Sequence, residues 1–161
     1  MLEKATFGAG CFWGVEAAFR KVKGVVSTSV GYMGGHFPNP SYLDVLSRIT
    51  GHAEVVQIEY DSEQVSYEAL LEVFWSIHDS TQLNRQGPDR GEQYRSVIFC
   101  HNQKQEEVAR RSKSRLQMSQ KDNKTVVTQI QPASDYYLAD STHQQYFEKK
   151  YSKLNESTNA L

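Results

Sequence analysis

Only two of the 161 residues are cysteine, Cys11 and Cys100, and they form no Cys-x-x-Cys pair. That excludes a disulfide framework and suits a reducing compartment, so a cytoplasmic location is expected. A surplus of charge is also missing. Eighteen basic residues against nineteen acidic ones create no field that would draw in nucleic acid or a membrane surface. The richest basic run, Arg110-Arg111-Ser112-Lys113-Ser114-Arg115, belongs to a polar helix and reads as a solvated face. No apolar run is long enough to span a bilayer, and no segment resembles a signal peptide. His36, His52, His78, His101 and His143 include no pair at metal-binding spacing, so structural or surface roles are expected for all five. No nucleophile elbow encloses a serine, and the glycines of Gly31 to Gly35 precede neither a P-loop lysine nor dinucleotide spacing. Internal repeats and linkers are lacking. What remains is a single domain over residues 1–161, expected to be monomeric, with its core at about 4–153 and a polar tail at 154–161.

The stretch that organises this chain is Gly10-Cys11-Phe12-Trp13-Gly14. Ala5-Thr6-Phe7 before it reads as a strand. Phe12, Val15, Phe19 and Val22 after it recur at helical spacing, which puts Cys11 in the first turn of a helix. Unpaired backbone N–H groups and the positive end of the dipole favour thiolate over thiol there. A cysteine at a helix start is as often a small buried residue as a reactive one. The flanking glycines and a tryptophan lying off the core stripe, at the surface beside Cys11, favour a reactive thiol.

Further along, Val25 to Tyr32 is β-rich, and residues 36–52 have no periodicity beyond one helical turn near Tyr42-Leu43-Asp44. Ala53 to Tyr60 alternates as a strand, and Ser66 N-caps a helix with the stripe Leu70, Phe74 and Ile77. Asp79 to Gln93 is irregular, and Arg95 to Cys100 reads as a strand. A helix at about 103–120, a strand at Thr125 to Gln131 and a helix from about Ser141 to Lys153 complete the chain. Strand, helix, strand, strand, helix, strand is the split βαβ order. It predicts an α+β, ferredoxin-like two-layer sandwich with an extra C-terminal strand and helices, its strands in the spatial order four, one, three, two. That order gathers Cys11, both long irregular stretches, Glu54 and Tyr94 at one sheet edge. Long irregular loops in a compact domain are usually functional. Glu54 shares the parity of Val56, Ile58 and Tyr60, so it opens a face that otherwise reads as core. Parity alone leaves two readings level: a strand-end carboxyl turned to solvent, or a buried one kept protonated as a proton donor.

Several stretches together resemble the peptide methionine sulfoxide reductase A family. They are Gly10-Cys11-Phe12-Trp13-Gly14, Gly31-Tyr32-Met33-Gly34-Gly35, Asn39-Pro40-Ser41-Tyr42, Gly51-His52-Ala53-Glu54, Gln82 through Asp89, Gln93-Tyr94-Arg95-Ser96 and His143-Gln144-Gln145-Tyr146. The likeness spans about residues 4–150. It implies reduction of the S epimer of methionine sulfoxide, free or in proteins, to methionine. By the same resemblance Cys11 is the nucleophile, left as a sulfenic acid, and Glu54 is the acid that protonates the departing oxygen. Tyr42 and Tyr94 are implied as phenols bonded to that oxygen, Asp89 as an organising carboxylate, and Phe12 and Trp13 as the wall around the substrate methyl. No tightly bound cofactor is implied, only an external thiol reductant (thioredoxin, glutaredoxin or glutathione).

The chain departs from the family in lacking a recycling cysteine in a glycine-rich C-terminal tail, and in Asp79-Ser80-Thr81 and Asp140-Ser141-Thr142. Cys100 is the remaining thiol. The expected topology puts it on the order of 20 Å from Cys11, beyond the ~7 Å that a disulfide tolerates between Cα atoms. Two other readings use the same reactive cysteine, a thiol peroxidase and a non-enzymatic redox sensor. Neither calls for a carboxyl and two phenols around an apolar pocket.

Overall fold

The computed structural model describes residues 1–159. Along the chain run β1 (Leu2–Ala9), α1 (Phe12–Arg20), β2 (Val25–Met33), α2 (Tyr42–Leu46), β3 (Ala53–Asp61) and α3 (Tyr67–Ser76). Then come β4 (Arg85–Gln86), β5 (Asp89–Arg90), a 3-10 turn at Glu92–Tyr94, β6 (Ser96–Cys100), α4 (Gln103–Ser119), β7 (Gln129–Pro132), β8 (Tyr137–Leu138) and α5 (Tyr146–Asn159). Six strands form one sheet in the order β7-β6-β1-β3-β2-β8, while β4 and β5 make a separate hairpin. Among the described residues only β6 and β7 pair in parallel. The result is a mixed α/β architecture whose four inner strands lie in the order that the sequence predicts.

Alternation decides which face each strand buries. Ala5, Phe7 and Ala9 of β1 join Val56, Ile58 and Tyr60 of β3 and Ile98 and Cys100 of β6 on one side. The apolar stripes of α1 (Phe12, Val15, Phe19) and α3 (Leu70, Leu71, Phe74) close over them. Phe7 stacks on Phe19 at 5.3 Å and on Phe74 at 5.1 Å, so one ring locks both helices to the sheet. The opposite face is smaller. Met33, Ala53, Val55, Val97 and Phe99 are covered there by Ala133 and Tyr136. Among the described residues no helix is long and apolar enough to cross a membrane.

Four segments differ from expectation, each for a visible reason. The C-terminal strand starts at Gln129 rather than at Thr125, because residues just before it bond elsewhere: Val127 N–H donates to Ser80 O and Val126 N–H to the Gln117 side chain. The last helix begins at Tyr146 rather than near Ser141. Asp140 caps Thr142 N–H in a turn, and Gln145 takes a φ of 47° that no α-helix accommodates. That helix continues to Asn159, into the stretch expected as a polar tail, of which residues 160–161 lie outside the described residues. Within the irregular stretch 79–93, β4 and β5 pair across Gly87, whose φ is 58°. Finally, β8 is an addition. It pairs with Gly31 and Tyr32 of β2, and a Cβ on Gly31 would collide with Tyr137 O.

The loop between β2 and β3 is closed at its neck. His36 N–H donates to Thr50 O at 2.9 Å, and Gly35 N–H donates to His52 Nδ1 at 2.9 Å. Since Nδ1 accepts, the ring proton is on Nε2, which donates to Phe37 O at 2.7 Å. Ser41 and Asp44 form a reciprocal capping box that starts α2 inside this loop. A Cβ on Gly35 would meet backbone atoms of Thr50, Gly51 and His52, none of which can swing aside. Gly35→Ala should therefore destabilise the protein by about 1–3 kcal/mol. Urea denaturation checks this, and an unchanged midpoint would show that the neck is not held as tightly as the geometry requires.

Candidate active site

The edge where β1 and β2 end, and β3 and β6 begin, gathers the reactive groups. Beyond Ala9 the chain turns through Gly10, whose φ of 99° favours glycine. A Cβ there would press on Gln86 at 2.9 Å, so the β4–β5 hairpin packs directly against the turn that carries Cys11. Cys11 is the N-cap of α1, with φ −56° and ψ 122°. Phe12 N–H donates to Glu54 Oε1 at 3.1 Å and Val15 N–H to Cys11 O. The Cys11 side chain makes no cap hydrogen bond, and the N–H groups of Trp13 and Gly14 act on its sulfur electrostatically.

Those two N–H groups pull the Cys11 pKa down, as a helix start predicts. Burial acts the other way and is larger, and the charges of Glu54 and Asp89 add to it, so the thiol is pushed up to about 11. The expectation that the helix start alone would favour thiolate is therefore corrected: desolvation outweighs the N–H groups. Glu54 is 1 % exposed, on the core face of β3 as its parity predicts. Burial raises its carboxyl to about 8, with Asp89 contributing and the Phe12 N–H opposing. Its Oε2 is buried without a hydrogen-bond partner. Glu54 is therefore buried, not turned to solvent.

Tyr42, on α2, and Tyr94, at the end of the 3-10 turn, face the same spot. Burial raises both phenols, and Glu54, Cys11 and Asp89 raise each of them further. Both stay protonated at neutral pH and are hydrogen-bond donors. Asp89 is half-buried on β5. Two staples hold its hairpin in place. Arg48 Nη2 donates to Arg90 O at 2.8 Å, tying it to the loop that carries Tyr42, and the Gln86 amide exchanges two hydrogen bonds with the Asp79 backbone.

The apolar wall has more members than the sequence reading names. Phe12 is buried against Tyr32 at 5.7 Å and His143 at 5.6 Å. Trp13, half-buried, stacks on Tyr146 at 4.0 Å, and its Nε1–H donates to His143 Nδ1 at 3.0 Å. His143 lies 4.5 Å from the ring of Tyr42. Buried Glu16 anchors this C-terminal segment: Oε1 accepts Gln145 N–H, while Oε2 accepts the Gln145 amide and the Thr28 hydroxyl. The Gln144 side chain exchanges two hydrogen bonds with the Val30 backbone, like one more sheet residue. The sequence reading expects a structural or surface role for His143; the role is structural, and it lies at the site itself. Tyr32, within a stretch that carries the family resemblance, and Glu16 have no site role in the sequence reading, because each reads as an ordinary strand or helix residue.

The structure thus brings together all the residues singled out: Cys11, Glu54, Tyr42, Tyr94, Asp89, Phe12 and Trp13. Cys100 is elsewhere. It ends β6 four residues beyond Ser96, the partner of Ala9, roughly 13 Å along the strand on the side away from Cys11. Chemically, the site offers a sulfur, a carboxyl that holds its proton at neutral pH, two phenolic donors and an aromatic wall. That set suits an uncharged group with an oxygen to protonate, an electrophilic atom beside it and a small apolar substituent.

Comparison with known proteins points the same way. The family model for peptide methionine sulfoxide reductase matches residues 3–160. Peptide methionine sulfoxide reductase MsrA 1 of Nostoc sp. is 74% identical over 149 residues, covering 92% of this chain and 91% of that protein. Mxr1 of Saccharomyces cerevisiae in reduced form superposes with a TM-score of 0.86 at 35% identity, over 92% of this chain and 85% of that one. The same yeast protein in complex with Trx2 matches at a TM-score of 0.64 and 26% identity, over 90% and 84%.

The state of Glu54 has a consequence for stability. Its carboxyl titrates at 4.5 in an unperturbed chain and at about 8 when folded. Between those values the folded state holds a proton that the unfolded state has released, so this group's stabilisation is complete below 4.5 and is lost as pH rises to about 8. Raising the pH from about 5 to about 9 should therefore cost the wild type more stability than Glu54→Gln. Urea unfolding of both at each pH measures the difference, and parallel losses would contradict a protonated, buried Glu54.

Proposed function

The chain belongs to the peptide methionine sulfoxide reductase A family, and from that premise we propose how its own residues carry the reaction. The protein is an oxidoreductase that reduces methionine sulfoxide to methionine, a repair reaction for oxidised proteins. The observation that carries the assignment of roles is the hydrogen bond from Phe12 N–H to Glu54 Oε1. It fixes a proton-bearing carboxyl beside the residue that bears the thiol, with Oε2 left without a protein partner.

In this reading the substrate sulfoxide oxygen sits among Glu54 Oε2 and the hydroxyls of Tyr42 and Tyr94, with its methyl against Phe12 and Trp13. Phenolic hydrogen bonds polarise the S–O bond, and Glu54 delivers its proton to the oxygen as that bond weakens. The Cys11 sulfur attacks the substrate sulfur as a thiolate, forming an S–S bond. Because burial holds the free thiol protonated, deprotonation belongs with substrate binding, when the sulfoxide oxygen is at hand to take a proton. With the Glu54 and thiol protons on it, that oxygen departs as water. Water then attacks the Cys11 sulfur, methionine leaves with the S–S electron pair, and the spare proton returns to Glu54, so that Cys11 is left as a sulfenic acid. The atoms balance: sulfoxide plus thiol gives thioether plus sulfenic acid. Asp89 organises the hairpin side of the site, and the handed arrangement of wall and acids supports selection of the S epimer.

Recycling belongs to an external thiol. The yeast relative's complex with Trx2 supports a thioredoxin-type reductant, with a glutaredoxin or glutathione as the alternatives. The strand order supports reading the core as a split βαβ, ferredoxin-like arrangement extended by β7 and β8, and residues from 11 to 146 meet in one site, which supports a single catalytic domain.

Cys11→Ser should abolish turnover with methionine sulfoxide and dithiothreitol, while hydrogen peroxide in the same assay tests the peroxidase reading. Glu54→Gln should slow single turnover by about two to four powers of ten. Tyr42→Phe or Tyr94→Phe alone should cost less, since each phenol backs up the other. A Glu54→Gln enzyme at the wild-type rate would remove the acid from the mechanism.

Without reductant, the reduced enzyme should form one methionine per molecule, carry a sulfenic acid that dimedone traps, and retain the Cys100 thiol. Prompt loss of both thiols as a Cys11–Cys100 disulfide would overturn the external-thiol cycle.

A further inference from the structure

Two buried polar atoms on the same face of adjacent strands have no hydrogen-bond partner: Tyr32 Oη on β2 and Glu54 Oε2 on β3. Tyr32 and Glu54 are direct cross-strand partners, and both are 1 % exposed. Side chains opposite one another on an antiparallel pair lie close enough to interact. Half-buried Tyr136, near this level, is engaged elsewhere, its Oη bonded to Ser29 Oγ; the hydroxyl of Tyr67, also without a hydrogen-bond partner, lies at the far end of the sheet beside Cys100. Tyr32 is held by its ring, tilted against Phe12, and not by its hydroxyl. A hydroxyl buried without a partner is costly to retain where a phenylalanine would pack equally well.

Resting on the reading of Glu54 as the proton donor, we propose that Tyr32 is a positioning residue for Glu54. Its hydroxyl donates a hydrogen bond, directly or through one water, to Oε2 once that oxygen has given its proton to the substrate. The need arises in the middle of the cycle. A buried carboxylate has about four acceptor positions, and the Phe12 N–H fills one. With the Tyr42 and Tyr94 hydroxyls committed to the substrate oxygen, the carboxylate would otherwise remain after proton transfer in a dry site with a single donor. Terminal carboxyl torsions are soft, so a small rotation about the anchored Oε1 brings Oε2 and the hydroxyl together. Tyr32 keeps its own proton throughout. Burial, with the charge of Glu54 next, raises its phenol far above neutrality, so it acts as a donor only. The titratable groups facing Glu54 are Cys11 from the start of α1, Tyr42 from α2, Asp89 from β5, Tyr94 from the 3-10 turn and Tyr32 from β2. Tyr32 in turn faces Asp140 and Tyr136 from the segments flanking β8.

Tyr32→Phe isolates the hydroxyl, because the ring and its packing on Phe12 are kept. In a Cys11→Ser background, which removes the thiol titration, infrared spectroscopy follows the protonated Glu54 carboxyl, identified by its loss in Glu54→Gln. Removing a donor to the carboxylate should move the Glu54 midpoint upward by about one pH unit. In the Cys11 enzyme, the falling limb of the single-turnover pH profile should move up with it, and the plateau should drop several-fold because a weaker acid transfers its proton less readily. An unmoved carboxyl midpoint in Tyr32→Phe would overturn the proposal. So would a rise in KM with the midpoint unmoved, since that would mean Tyr32 contacts substrate and not Glu54. If Glu54→Gln itself turned over normally, the acid role of Glu54 would fall, and this inference with it.

Discussion

The hydrogen bond between the first N–H of α1 and the carboxyl at the start of β3 joins the two halves of this protein's chemistry. A helix beginning at Cys11 has unpaired N–H groups, and a carboxyl on the core face of a sheet has lost its water. Each relieves the other's deficit. The loops can then vary in path so long as they return to this point, and the structure shows how firmly they are brought back. The β2–β3 loop is cinched at Gly35, His36, Thr50 and His52, the hairpin is stapled through Arg48 and Gln86, and the C-terminal segment is hooked onto Glu16. Rigidity at the anchors is what lets irregular chain hold reactive groups in register.

The electrostatics at this edge oppose a resting thiolate. Desolvation lifts the Cys11 thiol and the Glu54 carboxyl together, so the empty site at neutral pH holds its protons. A thiol kept in that state is a poor target for stray oxidants, because the thiolate is the nucleophile. Reactivity then depends on a ligand that rearranges the proton inventory. This separates an enzyme acting on a chosen oxidised group from a sensor that responds to any oxidant, and it follows from burial of the pair rather than from either residue alone.

Much of the frame was legible in the sequence, because alternation and helical spacing are direct records of which face is buried. Phe7, Val56, Ile58 and Phe19 announce the sheet and its helices, and the strand order places Cys11, Glu54 and Tyr94 at one edge before any coordinate is known. Other features leave no periodic trace. A hairpin of two residues per strand is held by the amides of Gln82 and Gln86, which read in sequence as ordinary loop polarity. Gln144 and Gln145 end up clasping backbone and carboxylate more than a hundred residues away. Tyr32 looked like any strand aromatic, since only the unpaired hydroxyl distinguishes it, and hydrogen-bond accounting requires the fold. The ionisation of Cys11 was misjudged for a related reason: the helix start is local and visible, whereas the burial that outweighs it is collective.

The clasp between Glu16 and Gln145 also orders events in time. The sheet edge, the thiol and the acid are all encoded in the first hundred residues, and translation delivers them first. The aromatic floor under Trp13 comes from His143 and Tyr146, near the far end of the chain. A chain still emerging from the ribosome has its sulfur and its carboxyl but no closed chamber around them, and an unoccupied clasp at Glu16. Completion of the aromatic wall is thereby deferred until residues 143–146 are made, when one glutamine backbone and its amide find a buried carboxylate waiting.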